Sequence, residues 1–480
     1  MNKFTLKRLS SAIMLAGAFS ASAVNATDNT ADAAEVETET ISIVGKSVNA
    51  GALGALKIHN MPFSASAVGE MELIETGALN IEDIFKNDAS VNTAVNGTSS
   101  IISEISVRGL RLDQDNGYKM DGLPFPNRTS LPIEHFSGVE LYKGLAGFQY
   151  GFVAPGGIVN YVSKRPTIDN STQLRASFNS DSTFSLMADR SQNLTDTFAA
   201  RVVAVKEKGD TSVDEGEIDR TSMSINIRGY VTDSITVFGD YLYQDKTTDG
   251  VIYSIIPINK YKLETISGTS QLGPTGSYYT NEMNIGTLGI DVDLSDNWQA
   301  KLVHRMVDSE DEWRESALLL LPFLGSDGNY WASELRARQQ RKYSDTEFLL
   351  LGDVETGSIS HSFSFGGNNQ SQDLKEPEFL KTMYREGNLY NPVEIIGTFE
   401  EIPDLPSWNF TEIETQSVFA SDMIKMGDFS LLVGIRHISF DQVDRGYDSS
   451  AITNQYSTSD TTPTFALSYI PNDETTIYAS

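Results

Sequence analysis

The sequence predicts a compact domain of mixed helix and strand followed by a transmembrane antiparallel β-barrel. Three observations predict it. The chain opens on a secretory signal. It has no apolar run long enough to cross a bilayer as a helix, since the longest, near 317–324, is interrupted by Pro322 and falls far short of the roughly 20 residues required. From about residue 172 onward, segments of about ten residues alternate in polarity, as lipid-facing and lumen-facing side chains do in a membrane barrel.

In chain order, residues 1–26 carry the signal: Lys3, Lys7 and Arg8, then a short apolar core at 12–19, then small residues with expected cleavage after Ala26. Removing it takes away three cations and no anions, so the mature chain is more acidic still. Residues 27–49 begin as a Thr-, Asp-, Ala- and Glu-rich tether that buries too little apolar surface to order itself. The tether runs into Glu39-Thr40-Ile41-Ser42-Ile43-Val44-Gly45, a β-branched stretch suited to adding a strand to a partner's sheet edge.

Residues 50–168 form the mixed domain, compact from Met61 onward. Asn80 is a candidate N-cap for a short helix with Ile81, Ile84 and Phe85 on one face. Ile105 and Val107 alternate as in a strand, and Asp121-Gly122 marks a tight turn. Residues 123–132 hold three prolines and Arg128, and read as a rigid loop.

Residues 169–480 give about thirteen strands. In 235–244, Ile235, Val237, Tyr241 and Tyr243 share one face. In 298–307, Trp298, Ala300, Leu302 and Met306 oppose Gln299, Lys301 and Arg305. The segments at 197–206 and 429–440 are similar. Short turns at 192–194, 232–234 and 295–297 alternate with long polar stretches at 246–281, 309–344 and 371–414, expected as loops. A soluble β-sandwich also alternates, but needs no such inequality between its two ends. The sequence stops within a strand at 477–480, so C-terminal strands of the barrel are expected to be missing here.

Composition excludes several functions. The 480 residues include no cysteine, hence no disulfide framework or thiolate metal site. The five histidines are scattered and form no ligand-spaced pair, so no metal centre or cofactor is expected. A net charge of −29 repels nucleic acid. There is no Gly-x-Ser-x-Gly elbow. The Gly45-Lys46-Ser47 triplet lacks the earlier glycine of a phosphate loop, because Thr40 stands there. No enzyme is expected.

A family resemblance rests on five blocks. They are Val107-Arg108-Gly109, Met120-Asp121-Gly122-Leu123-Pro124, Ile-Glu-His-Phe-Ser-Gly-Val-Glu-Leu-Tyr-Lys-Gly at 133–144, Gln149-Tyr150-Gly151, and Pro-Gly-Gly-Ile-Val-Asn-Tyr-Val-Ser-Lys-Arg-Pro-Thr at 155–167. In this order they resemble the plug of TonB-dependent outer-membrane receptors, ferric-siderophore type. Residues 415–422 and 432–436 resemble a pair of strands from siderophore receptors. Where the family has Lys-Gly-Pro this chain has Lys143-Gly144-Leu145; Gly147 stands where Ser is frequent, and Leu110 where Phe usually follows Arg-Gly.

The resemblance implies an α+β plug inside a transmembrane antiparallel β-barrel of about 22 strands. It implies a TonB box at 39–45, and plug-motif residues Arg108, Gly109, Asp121, Gly122, Glu140, Lys143, Gly144, Tyr150, Gly151, Gly156, Gly157 and Asn160. Family plugs pair such cations as Arg108, Lys143, Lys164 and Arg165 with barrel glutamates, one of which is expected beyond Ser480. The family's apical loops fall at 94–101 and 123–131, making Asn96, Arg111, Tyr118, Phe125, Arg128 and Gln149 ligand candidates, with Arg128 for an anionic complex and Phe125 and Tyr118 for stacking. The implied partners are a ferric siderophore, outer-membrane lipids, and TonB with the inner-membrane ExbB/ExbD energy complex. The implied activity is import driven by the inner-membrane proton gradient. The same architecture imports haem, cobalamin or glycans. The short segment before the box leaves no room for a signalling domain.

Overall fold

The computed structural model describes residues 61–480 except 96–103, 129–130, 145–147, 149, 152, 154, 180–181, 251–253, 258–263, 268, 271, 273–275, 322–326, 378–379, 392–407, 447–450 and 473–474. The signal, the tether, the box at 39–45, Asn96 and Gln149 therefore lie outside the described residues.

The plug holds strands β1 (Ser64–Gly69), β2 (Val91–Val95), β3 (Glu104–Val107), β4 (Leu110–Arg111), β5 (Tyr118–Met120), β6 (Leu123–Pro124), β7 (Phe136–Lys143) and β8 (Ile158–Ser163), with helices α1 (Glu70–Thr76) and α2 (Ile81–Ile84). Its main sheet has the order β1-β7-β8-β5-β6, with β5 and β8 parallel, and β2-β3-β4 form a second sheet. Asn80 caps α2 as its sequence position predicts, accepting the Asp83 N–H at 3.0 Å. Ile105 and Val107 are both buried in β3. The 123–132 segment is less irregular than expected, because Leu123 and Pro124 pair with β5. Proline is tolerated there because β6 is an edge strand.

The barrel sheet is β9 (Ser171–Phe178), β10 (Phe184–Asn193), β11 (Phe198–Asp210), β12 (Glu217–Thr232), β13 (Ile235–Asp249), β15 (Tyr278–Ser295), β16 (Trp298–Leu320), β17 (Asn329–Thr356), β18 (Ile359–Pro377), β20 (Trp408–Met426), β21 (Phe429–Arg445), β22 (Ile452–Asn472) and β23 (Thr475–Ala479). These thirteen strands run antiparallel in sequence order along an open path whose ends are β9 and β23. The short strands β14 (Ser254–Pro257) and β19 (Leu380–Asn388) add to it through β16 and β17.

The strands are longer than the ten-residue segments read from polarity. Most of 309–344, expected as a loop, is the upper part of the β16–β17 ladder. The reason lies in what each face meets. On β16 the outward residues 298–306 include Leu302 and Met306, both exposed, and from Asp308 through Glu310 and Glu312 they become acidic. At about 3.3 Å per residue the apolar part runs roughly 26 Å along the strand, which a tilt of about 35–45° reduces to roughly 20 Å of height, within the ~25 Å band of a membrane barrel. The same switch occurs from Tyr243 to Asp245 on β13 and from Phe348 through Thr346 and Ser344 to Lys342 on β17. Polarity thus marks where lipid ends, while the backbone ladder continues above it.

The inward face carries buried polar side chains, among them Arg201, Asn226, Gln244, Arg305 and Arg341. It also carries Leu242, Met283, Ile285, Val307, Tyr343 and Leu374, which join the plug core around Tyr118, Phe125, Phe136 and Tyr161. Near the short-turn ends of the strands, Met61, Phe63, Tyr142 and Phe148 of the plug pack on Leu349, Phe419, Met423 and Leu432.

In the full-length protein, Leu302→Arg, in the middle of the apolar band, should cost about 2–4 kcal/mol of stability in lipid, and Gln340→Arg, above it, no more than about 1 kcal/mol. Equilibrium unfolding in bilayers measures both, and equal costs would contradict the band as drawn.

Candidate functional site

Most plug-motif residues build the plug itself. Asn160 on β8 donates to Glu140 on β7 at 2.8 Å and accepts the Gly122 N–H at 2.9 Å. Tyr142 donates to the same Glu140 carboxylate. Burial raises the Glu140 pKa, against the lowering effect of these two donors. Asp121 and Gly122 both have positive φ, 52° and 84°, and form the β5–β6 turn. Arg108 (φ 53°) and Gly109 (φ 80°) form the β3–β4 turn. Gly157 has φ 146°, and a Cβ there would sit 2.4 Å from the Tyr142 carbonyl oxygen, so only glycine lets β8 begin beside β7. Gly156 similarly approaches the Leu110 carbonyl, and Gly144 and Gly151 have positive φ. Tyr150 packs beside Tyr142 and under Lys119.

The expected pattern of plug cations meeting barrel glutamates is corrected in part. Lys143 pairs with Asp88, and Arg165 with Asp121 at 3.6 Å, both within the plug. Arg108 is exposed and has no ion pair among the described residues. Only Lys164, fully buried, bridges to the barrel as foreseen, and its barrel partner is an aspartate: it meets Asp189 at 3.0 Å and Glu70 of α1 at 2.7 Å. Arg201 holds the same Asp189 through two bonds of 2.8 and 2.7 Å.

Several other cross-contacts run in the opposite sense, from barrel arginines to plug acceptors. Arg220 pairs with Glu134 at 3.1 Å. Arg305 donates to the Met120 and Leu123 carbonyls around the β5–β6 turn, and Arg436 to the Phe148 carbonyl at 2.6 Å. The physical reason is reach and geometry, since a planar guanidinium can cross to a plug loop and satisfy several acceptors at once. Asp121 is buried, which would raise its pKa, but Arg165, Arg305 and the Ser163 donors outweigh burial and hold it below the ordinary value.

His135 seals the same seam. Its ring nitrogens meet Ser224 Oγ at 2.8 Å and Ser222 Oγ at 2.9 Å, both on β12. Burial pushes its pKa from 6.5 down to about 3. Burial would raise Glu134, but Arg220 outweighs it and draws that carboxyl from 4.5 to about 2.

The plug apex, toward the long-connection end, is a mixed-charge cluster. Asp115 accepts from Arg341 at 3.2 Å and from Tyr343 at 2.7 Å, and lies 3.6 Å from Arg128. Arg341, fully buried, also meets Glu376 at 3.1 Å and Asp311 at 3.9 Å. Tyr279 donates to Asp311 and to the Arg128 carbonyl, and Gln372 donates to Asn116 at 2.9 Å. Burial would raise the Asp115 pKa, but Arg128 and Arg341 outweigh it and keep the carboxyl low. This arrangement can grip a polar ligand between plug and lumen wall.

Of the ligand candidates, Arg128 sits in this cluster. Arg111 is exposed and lies 3.7 Å from Glu104. Tyr118 and Phe125 are corrected: both are fully buried in the plug core, and neither is presented for stacking on a ligand. Phe125 meets Tyr161 edge to face, and the Tyr118 hydroxyl accepts the Ile105 N–H, so both serve the plug interior. Sequence reasoning missed Asp115, Arg341, Tyr279 and Asp311. The barrel members were signalled only by their inward parity, which the long-loop readings of 246–281 and 309–344 concealed.

Comparison with known proteins agrees with this architecture. Residues 57–158 match the TonB-dependent Receptor Plug Domain model, and residues 220–480 match the TonB dependent receptor-like, beta-barrel model. The chain belongs to the TonB-dependent receptor family, whose barrels sit in the outer membrane. It is 24% identical over 457 residues to the Ferrichrome receptor FcuA of Yersinia enterocolitica, covering 90% of this chain and 57% of that protein. It is also 24% identical over 452 residues to the Catecholate siderophore receptor Fiu of Escherichia coli K12, covering 88% and 58%. The chain thus spans somewhat under three fifths of these relatives. Among solved structures, the ferric preacinetobactin receptor BauA of Acinetobacter baumannii shares the fold at a TM-score of 0.81 and 20% identity, covering 90% of this chain and 65% of that one.

In the full-length protein, Asp189→Asn should destabilise the plug–barrel seam by about 3–5 kcal/mol, because it leaves two buried cations undercompensated. Thermal unfolding measures this. Acid should act on the neighbouring contacts. His135 and Glu134 both bind fewer protons folded than unfolded, so their contribution is complete above about pH 6.5 and declines as pH falls toward about 2. Amide exchange along β7 should accelerate over that range beyond the intrinsic rate change, and unchanged protection would contradict the assignment.

Proposed function

We propose that this chain is the plug and part of the barrel of an energised importer of ferric siderophores. Its organisation would be a signal at 1–26, a tether with the TonB box at 39–45, a plug over 50–168 and barrel from 169. The ligand enters from the long-connection end and meets the plug apex at Arg128, Asp115 and Arg341. TonB, coupled to ExbB/ExbD and the inner-membrane proton gradient, engages the box and rearranges the plug.

The carrying observation is the plug packed against the lumen wall through buried ion pairs, including Lys164–Asp189, Arg220–Glu134 and Arg341–Asp115. Such a lumen does not conduct passively, because each buried pair must be undone before solute passes, and removing one partner alone costs several kcal/mol. An external source of work is the physical requirement. Relatives named as ferrichrome and catecholate siderophore receptors support iron as the cargo. The family is one of receptors and transporters, and we take this member to be non-catalytic.

The test is uptake of radio-iron siderophore complexes by iron-starved cells carrying the full-length protein. Uptake should stop when the proton gradient is collapsed and when residues 39–45 are deleted. Undiminished uptake after that deletion would overturn the coupling. Rescue of growth by cobalamin, haem or a glycan, but by no ferric siderophore, would overturn the cargo.

A further inference from the structure

Resting on the importer reading, we propose that cargo leaves the lumen along the inward faces of β18 and β20, and that Met61 and Phe63 form the gate at the lower end of this route. A pull on the N-terminal segment withdraws these two side chains first. It opens this sector while the ion-paired side of the plug still holds.

The first observation is how unevenly the wall grips the plug. On the β10–β12 side, Lys164 meets Asp189, Arg220 meets Glu134, and His135 meets Ser222 and Ser224. On β15–β17, Tyr279 holds the Arg128 carbonyl, Arg305 those of Met120 and Leu123, and Arg341 and Tyr343 hold Asp115. Parting plug from wall on either side strands buried charge, which is expensive. The next two strands differ. Their inward side chains carry no charge from Ser362 to Leu374 on β18, nor from Thr411 to Met423 on β20. In the middle of this strip, register sets Asn368 opposite Ser417 and Gln370 opposite Thr415. Among the described residues none of these four bonds the plug. Ser417 donates to Asn368 at 2.6 Å, and the buried Gln370 Nε2 has no partner. The charged neighbours are Asp345 and Glu347 on β17, Arg436 on β21 and Lys119 of the plug. Arg436 is held by Ser417 and the Phe148 carbonyl. Lys119 lies over the Tyr150 ring and makes no ion pair among the described residues. The upper end of the strip adjoins the apex, where Gln372 donates to Asn116 and Leu374 joins the plug core. Parting the plug along this strip therefore costs neutral hydrogen bonds and apolar contact, and leaves the seam's ion pairs intact.

The second observation is what closes the strip below. Met61 and Phe63, 2% and 4% exposed, pack with Tyr142 and Phe148 on Leu349, Phe419, Met423 and Leu432. Phe419 and Met423 share the inward face of β20 with Thr415 and Ser417, so this seal lies directly beneath the strip. Both gate residues immediately precede β1, so tension from the N-terminal side reaches them before the β1–β7 ladder. Dispersion contacts fall off steeply with separation, so a short displacement is enough to lose them.

The experiment uses the full-length protein in iron-starved cells, with radio-iron ferrichrome and the iron complex of a tris-catecholate supplied in parallel. The 480 residues hold no cysteine, so introduced thiols report their own positions. Gln370→Cys and Thr415→Cys probe the strip, and Asn226→Cys, buried on β12, is the comparison. During energised uptake the two strip thiols should react with a small impermeant maleimide at least about tenfold faster than with the proton gradient collapsed, and Asn226→Cys should not change. Phe63→Cys and Phe419→Cys, joined by a bismaleimide with a reducible link, should stop uptake and abolish that acceleration while surface binding of the complex persists. Reduction of the link should restore both, which a folding defect would not allow. Uptake that continues through the intact tether overturns the proposal, as does acceleration at Asn226→Cys equal to or above that on the strip. If the untethered protein imports neither complex, the importer reading falls together with this one; import with the wrong labelling pattern removes this one alone.

Discussion

The structure depends on one geometric constraint, the two-residue pleat of the barrel strand. Each strand must show lipid an apolar face and show the lumen a polar one, and a slip of one residue would exchange them. On β16 this puts Leu302 and Met306 outside and Lys301 and Arg305 inside. The lumen can then be filled only by something that answers buried charge with charge. The plug does so at Glu134, Lys164, Asp115 and the carbonyls of Met120, Leu123 and Phe148. Barrel and plug are thus one polar interface with an apolar sector, where Leu242, Ile285 and Val307 reach the plug core.

The contacts divide by chemistry around the seam. Guanidinium groups from the barrel hold turns and loop carbonyls of the plug, and His135 links to two serines without charge. Buried pairs of this kind contribute little net stability but penalise any arrangement that leaves one member alone. They define a seated position for the plug. The apex, where Asp115 and Arg341 meet, carries the same kind of paired charge to the long-connection end.

Much of this was legible in the sequence. The alternation gave the number of strands and the sidedness of 298–307, because lipid imposes its pattern residue by residue. The Asn80 cap, the Ile105–Val107 strand and the Asp121-Gly122 turn were local signals and came out as local structure. The extent of the strands was not legible. Above the lipid, outward residues such as Glu310 and Arg338 are polar and read as loop, although the ladder between them is intact. Nor were the ion pairs, since Arg341 and Asp115 are 226 positions apart and no periodicity joins them. Tyr118 and Phe125 show the remaining difficulty: an aromatic in a loop-like stretch signals burial and recognition equally, and only the packing decides.

The place of β1 in the plug sheet has a mechanical consequence. It is one edge strand of that sheet, the first described strand after the N-terminal segment, and among the described residues it pairs with β7 alone, from Ser64 opposite Lys143 to Gly69 opposite Gly138. Tension arriving along the chain from the N-terminal side must load that short ladder before the rest of the sheet, with the Lys143–Asp88 and Ser66–Asp88 clasps beside it. Under such a pull β1 would act as a fuse in series with the load, directly behind the Met61 and Phe63 anchors on the barrel wall.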